Sequence, residues 1–214
     1  MLPNLETEVE EIKKNLKGVE DRREMLIKGT RDIVIHCSKS IVSLHNGEIH
    51  NADQFIKKAD ESLRNLKDVA QEDLQKYLGI AEQELVEAKI FYCIIQNQIL
   101  LNLQELKVSD ASYIMGLLDC VGEVKRLIYD KIRLGNSDDI PRLFDIIESI
   151  FGSIYPLSVY DNLIPGLRKK LDVARILIED IRAFIAEEKG RSDLIHRFDE
   201  FEARTSSRSD NPSV

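Results

Sequence analysis

The chain has no tryptophan, only three cysteines and five prolines among 214 residues, and just 6% aromatic residues. Each scarcity excludes something. So few prolines leave long stretches in which helices can run without interruption. Cys37, Cys93 and Cys120 are too far apart for a zinc motif or a disulfide framework. They are expected as buried, reduced thiols. No basic excess exists: the formal net charge is −8, so composition advertises no general affinity for nucleic acid or membranes. Basic residues gathered on one surface would still serve RNA. Lys89, Gln96, Asn97 and Gln98 interrupt the longest apolar stretches well short of a membrane span. Met1-Leu2-Pro3-Asn4-Leu5-Glu6 lacks the charged-then-apolar pattern of a signal peptide. A soluble cytoplasmic protein is the expectation. Phosphate-cradling glycine loops, dinucleotide fingerprints and nucleophile motifs are missing. His36, His45, His50 and His196 show no spacing suited to zinc. The scarce aromatics offer no obvious base-stacking platform.

What is present points to an all-α protein. Hydrophobic residues make up 43% and charged ones 32%, rich in Leu, Ile, Glu and Lys. Apolar residues recur at helical spacing over 4–46, with breaks possible near Gly18 or Gly29, and His45-Asn46-Gly47 reads as the stop. Further helices are predicted over 51–69, over 72–103 (the most apolar stretch) and over 110–134, the last capped by Ser109. Gly135–Asp139 is a turn, followed by a helix over 140–152, a short piece after Pro156 and a long helix over 167–188. Residues 1–189 read as one domain, and 190–214 as a polar C-terminal extension, partly helical and disordered from Thr205. No segment alternates as a strand would.

Two short acidic constellations stand out. Glu84-Leu85-Val86-Glu87-Ala88 and Asp119-Cys120-Val121-Gly122-Glu123 each sit inside an apolar helical segment. Helical residues three or four apart share a face, so Glu84 points with Glu87 and Asp119 with Glu123. A buried carboxylate is costly unless paired, protonated or bound to a cation. Two such pairs on facing helices could hold Mg2+ or Mn2+, which prefer oxygen ligands. The plainer reading is that these are ordinary helix acids: Glu84 facing water, Glu123 paired with Arg126, and an exposed polar stripe along 112–130. The basic Arg22, Arg23, Arg31 and Lys39 line the first helix, either contacting phosphates or forming a solvated face.

The acidic runs Gln83–Ala88 and Gly116–Glu123 resemble the motifs of the translin/translin-associated protein X family. Thr30-Arg31-Asp32-Ile33, Ser38-Lys39, Leu44-His45, Gly135-Asn136 and Lys169-Lys170-Leu171 keep that family's order. The likeness covers roughly residues 20 to 187 and is nearest the catalytic, X-type branch. It implies an all-α bundle of about seven long antiparallel helices that assembles into a hollow homo-oligomer, an octamer in the family. It also implies a Mg2+- or Mn2+-dependent endoribonuclease acting on single-stranded RNA, with single-stranded DNA as an alternative ligand. Glu84, Glu87 and Asp119 would be metal ligands, with Glu123 a fourth ligand or an orienting carboxylate. Arg23, Arg31 and Lys39 would contact the strand. Two rivals stay open: a translin-like binding protein without catalysis, and a helical scaffold for another protein. In some relatives a further acid precedes the Glu pair by one turn; here that position is Ala81, beside Glu82.

Overall fold

In the computed structural model, which describes residues 3–209, every regular element is helical. They are α1 (Pro3–His45), α2 (Ile49–Ala70), α3 (Gly79–Ile95), α4 (Leu103–Leu106), α5 (Asp110–Arg133), α6 (Ile140–Ile154) and α7 (Leu167–Ser209). No strand occurs among the described residues. No described helix is long and apolar enough to cross a membrane.

The helix ends follow from local chemistry. Gly47, Asn97 and Gly135 adopt φ of 76°, 53° and 72°, the left-handed conformation that glycine and asparagine tolerate. Each supports a Schellman pair, as where Gly47 N bonds Leu44 O and Glu48 N bonds Ser43 O. The stop at Gly47 and the turn at Gly135 match the sequence reading. The Ser109 cap does too, its hydroxyl accepting from Ser112 N.

Two helices end elsewhere than expected, and α1 takes neither of its optional breaks. The predicted helix over 72–103 is shorter at both ends: Gln71 (φ 50°) turns the chain, a single 3-10 turn occupies Gln75–Tyr77, and Asn97 closes α3. α1 runs unbroken through Gly18 and Gly29. At Gly29 an added Cβ would meet Leu66 Cδ1 at 2.7 Å, so its bare backbone lets α1 and α2 approach. α7 passes Glu188 and continues to Ser209, because no proline lies between Glu188 and Ser209 and Gly190 alone costs only about 1 kcal/mol. Residues 205–209 are therefore helical, while 210–214, the rest of the expected disordered tail, lie outside the described residues.

α2 runs antiparallel to α1 and α3, and α6 to α5, whereas α3 and α5, joined through the short α4, are parallel; α1, α3, α5 and α7 therefore all run the same way. Thr30 meets Tyr77 just before α3 and His45 meets Phe91 within it; Gln83 meets Asp119, and Lys125 meets Asp180. Between them lies a continuous apolar core that includes Leu26, Ile33, Leu85, Ile90, Phe91, Val121, Ile128 and Leu143. The α3 and α5 backbones approach closely. A Cβ on Gly116 would come within 2.6 Å of Gln83 O and 2.7 Å of Val86 Cβ. That approach sets the Asp119 face of α5 beside the Glu84–Glu87 face of α3.

Candidate active site

Glu84 and Glu87 stand one turn apart on α3, and Asp119 and Glu123 one turn apart on α5. Glu87 is buried at 9% exposure; the other three are half-buried. Burial, then the charges of Asp119, Glu84 and Glu123, push the Glu87 carboxyl up to about 8. Burial and the Asp119 charge also raise Glu84, against a lowering by Lys170. The sequence-predicted acids therefore share one electrostatic neighbourhood, and that neighbourhood is short of positive charge.

Their hydrogen bonds are unequal. Asp119 Oδ2 accepts from Gln83 Nε2 at 2.7 Å and from Lys170 Nζ at 2.5 Å; the same ammonium reaches Met115 O at 3.1 Å. Glu123 Oε2 lies 2.6 Å from His45 Nε2, and the His45 ring packs 4.9 Å from the Phe91 ring. Arg126, the expected partner of Glu123, is the weaker neighbour at 4.0 Å. Glu84 and Glu87 make no hydrogen bond or ion pair among the described residues.

Beneath the acids lie Cys37 and Cys120. Burial pushes the Cys37 thiol up to about 12, with the Glu84 and Glu87 charges adding to it. Cys120 is raised in the same way by burial and by Glu87. Both stay protonated and unreactive. All three cysteines are buried and free, as the sequence suggested.

The donor set suits a hard divalent cation in kind: carboxylate oxygens, two of the four acids uncommitted, and mutual repulsion that positive charge would relieve. In arrangement, the described residues include no group of three His, Cys, Asp or Glu side chains gathered to hold a metal ion. Lys170 supplies the positive charge at Asp119.

The basic residues divide. Arg22 is held by Asp73, with contacts at 3.0 and 2.7 Å. Arg23 donates to Tyr77 Oη at 3.0 Å and to Glu20 at 2.7 Å. Lys39 is exposed with Nζ 5.8 Å over the Phe55 ring, turned toward α2. Arg31 is exposed and lines a groove of about 550 Å³ with Ile35, Lys76, Tyr77 and Ile80. Ile80 is one turn before Glu84 on α3, so the groove that Arg31 lines borders the start of the Glu84 face.

Comparison with known proteins decides the family. The Translin family model matches residues 21–182. The chain belongs to the Translin family. An uncharacterized protein of Methanocaldococcus jannaschii is 28% identical over 181 residues, covering 80% of each chain. The crystal structure of AfC3PO is 35% identical with a TM-score of 0.79, covering 86% of this chain and 98% of that one. A structure of AfC3PO with duplex RNA gives 34% identity and a TM-score of 0.78 over the same shares. Apo-NeC3PO, 22% identical with a TM-score of 0.75 over 87% of this chain and 97% of that one, shares the fold.

The Translin-family segment contains all four acids and their neighbours His45, Gln83 and Lys170. Sequence reading singled out the acids but not these three as their partners. His45 read as a helix end and Lys170 as a basic residue opening α7. Glu82, the acid beside the missing ligand position, has a structural task. It pairs with Lys67 at 2.9 Å and accepts from the Ser109 N–H and hydroxyl, tying the α5 cap to α3. Burial pushes its carboxyl up, but those bonds and the Lys67 charge outweigh burial and hold it below the usual range.

Proposed function

We propose that this Translin-family protein is a Mg2+- or Mn2+-dependent endoribonuclease that cleaves single-stranded RNA inside a homo-oligomeric shell. The observation that carries this reading is the shared electrostatic neighbourhood of four carboxyls on α3 and α5, in which Glu87 is driven to about 8 by burial and by its acidic neighbours. Ordinary helix acids face water and avoid one another; Glu87 is buried and feels the charges of the other three. Glu84, Glu87 and Asp119 would hold the ion, with Glu123 as a fourth carboxylate whose position His45 fixes. When bound, a divalent ion supplies the Lewis acidity and charge neutralisation that phosphodiester hydrolysis requires. For this chain to offer Asp119 fully, Lys170 must give up its bond to Oδ2. Arg31 meets strand phosphates from the groove that borders the Glu84 face, while Arg23 and Lys39 act from the flanks.

RNA as the ligand is supported by the likeness to AfC3PO, a structure of which contains duplex RNA. The preference for single strands, and the octameric form of the shell, rest on the family resemblance. Three buried free cysteines suit a reducing cytoplasm.

The second reading is a translin-like protein that binds single-stranded RNA or DNA without cutting it. The Lys170–Asp119 pair favours it, since an ammonium already neutralises part of the cluster. One comparison separates the two. Wild-type protein should cleave single-stranded RNA in Mn2+ and not in EDTA. Glu87→Ala and Asp119→Ala should bind that RNA with unchanged affinity and cut at least about 100-fold more slowly. Equal binding with no cleavage by the wild type in any divalent ion would establish the second reading.

A further inference from the structure

The first part of α1 belongs to no part of the bundle. Every described side chain from Asn4 to Gly18 is exposed, and the first α1 residue packed against the core is Val19. The family match begins only at residue 21. This stretch, roughly 22 Å long, therefore lies outside the segment that the family model matches. An isolated helix of that length is marginal in water.

Its apolar residues continue the core stripe. Along α1 the buried Leu26, Ile33 and Cys37 follow heptad spacing. Read backwards, the same spacing gives Val19, Leu16, Ile12, Val9 and Leu5. The last four are 63%, 56%, 50% and 48% exposed. The stripe that packs on α2 and α3 lower in the helix is left uncovered here, at the spacing of a two-stranded coiled coil.

Charge indicates what covers it. Residues 4–11 carry Glu6, Glu8, Glu10 and Glu11 and no base; residues 12–18 carry Lys13, Lys14 and Lys17 and no acid. Parallel pairing with an identical helix would lay acid on acid and base on base. Antiparallel pairing lays each acidic half on the partner's basic half. Matching the apolar layers puts Leu5 opposite the partner's Leu16 and Val9 opposite the partner's Ile12. Flanking positions then bring Glu6 to the partner's Lys13, twice by symmetry. The axis falls between residues 10 and 11. Val19, where each bundle starts, then lies just past the partner's Pro3, so the two bundles sit at opposite ends of the pairing.

We infer that the α1 overhang is a self-association element: it pairs antiparallel with the same segment of a second copy through Leu5, Val9, Ile12 and Leu16. The inference is independent of any nuclease activity. Full-length Val9→Cys and Ile12→Cys proteins, purified separately, test it by mild oxidation alone and mixed. The mixture should form disulfide-linked dimers, and each variant alone should form several-fold fewer. Adding Lys13→Glu to both should cut the mixed yield several-fold. Efficient linkage of Val9→Cys alone would mean parallel pairing and overturn the inference. So would failure of the mixture to link, which would leave the stripe to α7 of another copy or to a different protein.

Discussion

At the scale of single residues, Glu87 is the most informative group, because its proton reports the cluster's charge. The carboxyl has an ordinary value of 4.5 and sits near 8 in the fold. Between those values the folded chain holds more protons than the unfolded one. This contribution to stability is therefore complete below about pH 4.5 and is lost as pH rises through 8. Glu87→Gln should flatten that decline and be more stable than wild type at pH 9 by on the order of 2 kcal/mol, with little difference at pH 4. Urea unfolding at the two pH values measures it. Mg2+ should stabilise wild type at pH 9 and have a smaller effect on Glu87→Gln; equal effects would detach the ion from this cluster. The acids themselves were legible in sequence, since helical spacing alone places Glu84 with Glu87 and Asp119 with Glu123. Their partners were not. His45 is 78 positions from Glu123 and Lys170 is 51 from Asp119, and no local pattern encodes contacts made by packing helices that far apart.

At the scale of elements, the α3–α5 contact decides whether the acids face one another. Gly116→Ala would force a methyl to within 2.6 Å of a backbone carbonyl that cannot move independently of its helix. The expected cost is about 2–4 kcal/mol, with the α3–α5 spacing and the cluster disturbed together. Gly122→Ala is the control: its new Cβ would find only Leu177 Cδ1, at 4.0 Å. Gaining helix propensity, it should leave stability equal or raised by up to about 1 kcal/mol. Thermal melts of the two variants make the comparison. Helix existence was legible for the same reason, because apolar periodicity and caps are local signals. α5 was read almost to the residue from Ser109 and Gly135. The reading over 72–103 overshot because Gln71 and Asn97 adopt left-handed conformations that composition does not announce. The end of α7 was placed early because a polar, charged helix past the bundle looks like a tail in sequence.

At the scale of the molecule, four codirectional helices each contribute: α3 and α5 supply the acids, α1 ends on them through His45, and α7 begins on them through Lys170. In the proposed function, Arg31 lies on the side from which a strand approaches. Arg31→Glu should weaken binding of single-stranded RNA and lower its salt dependence, while leaving stability within about 0.5 kcal/mol, since the side chain is exposed. Filter binding across a salt series would show it; an unchanged salt slope would remove Arg31 from the interface. The central claim is that these carboxylates take up a divalent cation, and anomalous scattering from crystals soaked in Mn2+ tests it most directly. The account predicts a peak bounded by Glu84, Glu87 and Asp119, with Lys170 withdrawn from Asp119. A map without a peak there, with the Lys170–Asp119 pair intact at saturating Mn2+, would contradict it.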